Sequence, residues 1–188
     1  MSNTNYIVFP DYVYEGEIPL SPEIITSIKQ DIKQAEEQQL VISTDFGWST
    51  TAKTHLGDNL RKLQRLLGTR FIECLKPHVP TVESLGVQVI EPVIYNILPT
   101  LSILPKIETR RWYTGCLWMQ TTNLGSHLQI ESPAAKLLST PKAIAPTCLI
   151  INPADFKYVF WPSHLSASFT HNKSMTNSIV FWFTFKSN

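Results

Sequence analysis

Apolar residues step along the first part of the chain at helical intervals and then give way to short β-type runs. Ser21-Pro22-Glu23 opens a helix with Ser as N-cap, Pro at the first position and an acid in the first turn. Ile24, Ile25, Ile28, Ile32 and Ala35 follow at three- and four-residue steps and mark its apolar face, and residues 36–39 form its polar tail. Residues 44–53, with Gly47-Trp48, read as a loop. A second amphipathic helix is predicted over 58–75, with Leu60, Leu63, Leu67, Phe71 and Leu75 in one stripe and Arg61, Lys62, Arg65 and Arg70 on a solvated face; Pro77 and Pro80 end it. Before the helices, residues 5–15 suggest a short strand, a break at Pro10 and a second extended piece. From Val82 onward, β-branched and aromatic runs alternate with Pro, Gly, Asn and Thr. Strands are predicted over 87–98, 102–107, 112–120, 127–131, 145–151, 157–161, 167–170 and 178–186. About eight strands at this spacing imply a sandwich or jelly-roll barrel, with the two helices over one outer face. No repeat or linker interrupts the pattern, so residues 1–188 read as one domain, mainly helical over 1–80 and β-rich over 82–188.

Composition changes this picture little but narrows the partners. The chain is 43% hydrophobic, 11% aromatic and only 16% charged, with a formal charge of +1. A folded domain with so little surface charge is expected to cover part of its surface with other protein. No basic block points to nucleic acid or an anionic membrane, and the apolar runs are too short to span a bilayer. Met1 to Asn5 lacks the regions of a signal peptide, so cytosolic synthesis is expected. Cys74, Cys116 and Cys148 are far apart among apolar neighbours and read as buried reduced thiols rather than as zinc ligands or nucleophiles.

Three segments, in order, carry a resemblance. Leu104-Pro105-Lys106-Ile107-Glu108 precedes Tyr113-Thr114-Gly115-Cys116-Leu117-Trp118-Met119; Gly125-Ser126-His127-Leu128-Gln129-Ile130-Glu131-Ser132-Pro133 follows; and Phe160-Trp161-Pro162-Ser163-His164-Leu165 leads on to Ser178-Ile179-Val180-Phe181-Trp182-Phe183. Together they resemble the 2-oxoglutarate/Fe(II) oxygenase superfamily, specifically the phage-encoded type and the related prolyl-hydroxylase-like group. The loop with Gly47-Trp48 also has a counterpart in the phage-type members. The resemblance implies an α+β fold: a double-stranded β-helix (jelly roll) of about eight strands with two N-terminal helices packed on one outer face.

The resemblance also implies a chemistry that these residues do not supply. Such enzymes hold Fe(II) with two imidazoles and one carboxylate, and a cation on the last strand pairs with the distal carboxylate of 2-oxoglutarate. Carried onto this chain, the first His falls on Lys106 and the carboxylate on Glu108. The second His falls on Ala167, or on Ser166 in a register shifted by one, and the cation falls near Thr176, Asn177 or Ser178. An ammonium at a ligand position repels a divalent cation and offers no lone pair, and Ala167 has no donor atom. Lys106, Glu108, Ala167 and Asn177 are therefore expected to be degenerate positions of a lost site, with no catalytic residue, metal or cofactor.

Two uses of Lys106 stay open. Its ammonium stands where the metal charge sat and pairs with Glu108, or it points into solvent at the barrel mouth. Counted as one alternating strand through 160–168, His164 faces away from Ala167. His127 turns outward beside Leu128 and Ile130, His171 sits in a turn, and His55 and His78 belong to the helical part. A rebuilt metal site from Glu108 with His164 or His171 requires a bulge. No phosphate loop, nucleophile elbow or zinc-protease motif is present, and Glu36-Glu37 reads as helix surface. Two functions follow. One is a non-catalytic jelly-roll protein with an assembly role, a homo-oligomer or a phage virion component (capsid, neck or tail) packed against neighbouring subunits. The alternative is an active hydroxylase using Fe(II) and 2-oxoglutarate through a shifted ligand set.

Overall fold

The computed structural model describes residues 12–51, 57–103, 111–131 and 148–187. Ten strands and two α-helices form in the order β1 (Tyr14–Glu17), α1 (Pro22–Glu37), β2 (Val41–Thr44), β3 (Gly47–Thr50), α2 (Asp58–Leu75), β4 (Gln88–Ile97), β5 (Tyr113–Gln120), β6 (Leu128–Glu131), β7 (Cys148–Ile151), β8 (Lys157–Pro162), β9 (Ser166–Phe169) and β10 (Ser178–Lys186). One seven-stranded sheet runs β1-β8-β5-β10-β4-β3-β2, and a three-stranded sheet runs β7-β6-β9. Every pairing between these strands is antiparallel. No described helix is long and apolar enough to cross a membrane.

Both helices form where the periodicity places them. Ser21 caps α1, its side chain accepting from Ile24 N–H, and Ile28, Ile32 and Ala35 are its buried face. The α2 stripe of Leu60, Leu63, Leu67, Phe71 and Leu75 is buried throughout. Gly57, the N-cap of α2, has no side chain to cap with. Asp31 on α1 does the capping instead: its Oδ2 accepts from the backbone N–H of Asn59 at 3.1 Å and of Leu60 at 3.2 Å. A carboxylate at a helix N-terminus both fills orphan donors and meets the positive end of the dipole. At the sheet, Gln64 Nε2 donates to the Val89 carbonyl at 2.7 Å and ties α2 to β4.

Two cores lie on opposite faces of the large sheet. On the helix side, Tyr113, Leu117 and Met119 of β5, Tyr158 and Phe160 of β8, and Phe181, Phe183 and Phe185 of β10 pack against the helical stripes. On the other face, Cys116, Trp118, Val159, Trp161, Val180 and Trp182 meet Leu128, Ile130, Ala167 and Phe169 of the small sheet. Alternate residues of one strand thus enter different cores, which is why β10 is apolar at nearly every position. Gly115 is where two rings come closest to a strand. A Cβ there would lie 2.8 Å from Phe183 Cζ and 3.0 Å from Phe160 Cδ1.

The structure departs from the sequence reading at several places. Of the loop expected over 44–53, residues 44–50 belong instead to a hairpin of β2 and β3 in which Thr44 pairs with Gly47, and residues 52 and 53 lie outside the described residues. Gly47 has φ +136°, and a Cβ on it would strike the Asn96 carbonyl, so the polar look of this stretch reports a tight turn rather than missing structure. The hairpin and β1 add three strands before residue 82 to the seven described beyond it. Of the strand expected over 102–107, Ile103 forms an isolated bridge to Phe169, and residues 104–110 lie outside the described residues. The strands expected over 157–161 and 167–170 form, but the single alternating run through 160–168 used to orient His164 does not. Pro162 ends β8, a turn carries Ser163 and His164, and β9 starts at Ser166 in the other sheet.

Candidate functional site

The space between the two sheets is where the resemblance puts chemistry. Its large side chains come from four strands: Trp118 on β5, Trp161 on β8, Phe169 on β9 and Trp182 on β10. Their rings meet edge to face, with centroids 5.1 Å apart for Trp161 and Trp182, 6.1 Å for Phe169 and Trp182, and 6.0 Å for Trp118 and Phe169. None of the four is more than 5% exposed. The Trp118 indole N–H donates to the Ser126 carbonyl at 3.0 Å. Cys116 is fully buried among them, and burial pushes its thiol well above the ordinary value. This interior is a packed aromatic core.

The expected site positions fall around that core as follows. Ala167 faces into it, 2% exposed and opposite Ile130 across the β6–β9 pair. Ser166, the alternative register, is half-buried and pairs with Glu131. Asn177 precedes Ile179, which packs on the helix-side core, and it lines a cleft beneath α1 rather than the barrel interior. Ser178 points inward, fully buried, at the position where the cation of an oxygenase was expected. Its Oγ lies 3.2 Å from Thr121 Oγ1 and accepts from the Ser126 N–H at 3.2 Å. Thr176 lends its carbonyl to a turn in which Asn172 Nδ2 donates to it at 2.8 Å and Ser174 Oγ at 2.6 Å. Lys106, Glu108 and His55 lie outside the described residues.

The remaining histidines do not converge on the core. His164 and His171 are exposed, His78 stacks on Tyr12 with centroids 3.9 Å apart, and His127 is half-buried with its backbone N–H given to Thr170 Oγ1. Among the described residues no group of three or more His, Cys, Asp or Glu side chains could hold a metal ion. Fe(II) with 2-oxoglutarate needs two imidazoles, a carboxylate, a cation and room for a dicarboxylate. The described interior offers an alanine, a cysteine whose thiol burial pushes well up, serine and threonine hydroxyls, and large buried rings in edge-to-face contact. These residues do not fit that pair of ligands.

A second polar group sits at the opposite end of β10 from Ser178. Thr114 Oγ1 and Ser163 Oγ lie 2.8 Å apart, and Thr184 Oγ1 donates to Glu91 Oε2 at 3.3 Å. Arg111 Nη2 pairs with Glu91 Oε1 at 2.5 Å. Glu91 has φ +52°, at a bulge where the β4–β10 register slips. A non-glycine residue there carries a local steric cost, which the contacts of its side chain with Arg111 and Thr184 offset. Sequence reading missed Glu91, since only the adjoining Pro92 hints at a break in that strand. It also missed the buried Asn172, whose Oδ1 accepts from Ser174 N–H at 3.1 Å; the Asn-x-Ser spacing is the signal that was available. Glu36, read as bare helix surface, takes the Trp48 indole N–H on its Oε1 at 3.1 Å.

No protein-family model matches the chain, and no curated protein matches it in sequence. Solved structures match it in fold. A prolyl-4-hydroxylase from Pseudomonas putida superposes with TM-score 0.64 at 8% identity, over 94% of this chain and 92% of that one. AviO1 from Streptomyces viridochromogenes gives 0.65 at 11% identity, over 94% and 90%. HygX from Streptomyces hygroscopicus, solved with nickel and 2-oxoglutarate bound, gives 0.62 at 6% identity, over 94% and 82%. The chain therefore has the mixed helix-and-antiparallel-sheet fold of the 2-oxoglutarate/Fe(II) oxygenases. At these identities the likeness is one of fold alone.

Proposed function

We propose that this chain is a non-catalytic jelly-roll protein on an oxygenase-type scaffold, and that its role is assembly with other protein subunits. The observation that carries this reading is the filled interior: Trp118, Trp161, Phe169 and Trp182 occupy the space between the sheets, with Ala167 among them. The low charge of the chain supports a subunit covered by neighbours. So do the outermost strands of the two sheets, where β2 leaves Ile42 53% exposed and β7 leaves Ile150 60% exposed. Jelly rolls are a common shell architecture, and a phage virion component (capsid, neck or tail) is the concrete form of the proposal. In it, Lys106 and Glu108 serve no metal.

The test is anaerobic loading with Fe(II), followed by assay of succinate release from 2-oxoglutarate. The expected result is neither stoichiometric iron nor succinate above background, together with oligomers by sedimentation in metal-free buffer. Bound iron or turnover would overturn the proposal. It would favour a second reading, a hydroxylase using Glu108 with His164 or His171, which draws its support from the fold shared with HygX and the prolyl-4-hydroxylase.

A further inference from the structure

The α2 helix carries a glycine in its interior, Gly68. Glycine is among the poorest helix formers, and packing does not demand it at this position. Among the described residues a Cβ at 68 would meet Val89 Cγ2 at 3.5 Å, an ordinary contact, with open space around it. That space belongs to a groove of about 450 Å³ between α2 and the start of β4. The helix wall of the groove changes character along its length. Arg61, Gln64 and Arg65 line one end and Gly68 and Ile72 the other, with Val87 and Val89 across from them. No carboxylate lines it among the described residues. Arg70, further along α2, is spent on Glu73 at 2.6 Å. Arg65 is exposed and has no ion pair or side-chain hydrogen bond among the described residues. Arg61, half-buried one turn earlier, brings a second guanidinium to the same end.

We infer that this groove binds a monocarboxylate on a medium-length aliphatic chain. Arg65 takes the carboxylate through its fork of N–H donors, and the Arg61 charge adds to the attraction. The aliphatic chain runs past Gly68 to Ile72 and lies against Val87 and Val89. Arg65 and Ile72 are seven residues apart on α2, about 10 Å along the axis, and octanoate is of that length. The volume falls within the range of small-molecule clefts, roughly 300–1,000 Å³. The ligand also accounts for Gly68, since a side chain there narrows the groove where the aliphatic chain passes. The inference is independent of whether the barrel interior is catalytic and of whether the chain assembles with other subunits.

The probes are octanoate, butyrate, acetate and the uncharged octanol. Each is titrated into the full-length chain, below the concentration at which octanoate self-associates, while the backbone amide signals of Gly68 and Ile72 are followed by NMR. Octanoate is expected to shift both signals saturably, butyrate more weakly because it buries fewer methylenes, and acetate not at all over the same range. Octanol should bind about tenfold more weakly than octanoate for want of the charge-assisted hydrogen bond, and Arg65→Gln should weaken octanoate by a similar factor. Gly68→Leu should abolish the Ile72 shift. Should that variant fail to fold, Gly68→Ala replaces it. As a better helix former, alanine should raise the melting midpoint by about 2–4 °C and yet weaken octanoate severalfold. Stability and affinity moving in opposite directions is not expected of a residue that serves the fold alone. No saturable shift, equal binding of octanol or acetate, or unchanged octanoate affinity in the folded Gly68 and Arg65 variants would overturn the inference.

Discussion

Trp161 shows at the scale of one residue how the interior is held. It is 1% exposed, stacked edge to face on Trp182, and contributed by the strand that crosses to β9 through Pro162. Trp161→Ala is expected to lower the unfolding free energy by about 3–5 kcal/mol, because the surrounding sheets cannot close over the void. Chemical denaturation with an unchanged m-value is the measurement. Iron bound by this variant but not by the parent would show that ring volume alone keeps metal out. The sequence identified Ala167 as a position without a donor, and it lies in the interior core. It did not reveal that the neighbouring space is filled, because Trp118, Trp161 and Trp182 come from three strands and only the strand order brings them together. Of the positions left open for the cation, Asn177 lies toward the helix side and Ser178 is buried, following the alternation of Ile179 and Val180 between the two cores.

At the scale of elements, α2 depends on a cap borrowed from α1. Asp31→Ala removes the acceptor for the Asn59 and Leu60 N–H groups and should cost about 1–2 kcal/mol. Thermal denaturation by circular dichroism would register it as a lower midpoint; Gly57→Ser added to Asp31→Ala, where the Asp31 carboxylate no longer blocks a side chain at 57, supplies a local cap and tests whether the loss is capping. No local pattern shows this cap, since Asp31 and Asn59 are 28 residues apart. The helices were legible because their apolar stripes are long and regular, and the long strands β5 and β10 because both of their faces are buried. The β2–β3 hairpin was not, since Gly47 was taken as a loop residue although its role is a close backbone approach to Asn96. The strands expected over 157–161 and 167–170 both form; counting 160–168 as one alternating run to orient His164 did not anticipate that Pro162 and the Ser163-His164 turn carry the chain into the other sheet.

For the whole molecule, burial sets the response to alkali. Tyr95 is pushed up to about 12 by burial; Tyr14 and Tyr158 also reach about 12, through burial first and the nearby Cys74 second. An unfolded tyrosine titrates near pH 10, roughly two units lower. The folded state therefore holds these protons more tightly, and the stabilisation is fully present below about pH 10 and lost as pH rises through about 12. Denaturation curves at rising pH, read beside tyrosinate absorbance, should show stability falling across that window, with a shallower fall in Tyr95→Phe. The sheet order imposes a different constraint, one of time. β10 lies between β5 and β4, so without it the other six strands separate into β1-β8-β5 and β4-β3-β2, with no edge in common. Since β10 is the last described strand to emerge during synthesis, the chain must carry two incomplete half-sheets with open edges until residues 178–186 are available. Those edges are suited to pairing with other chains, so a chain that lacks residues 178–186 is the form most exposed to misassembly.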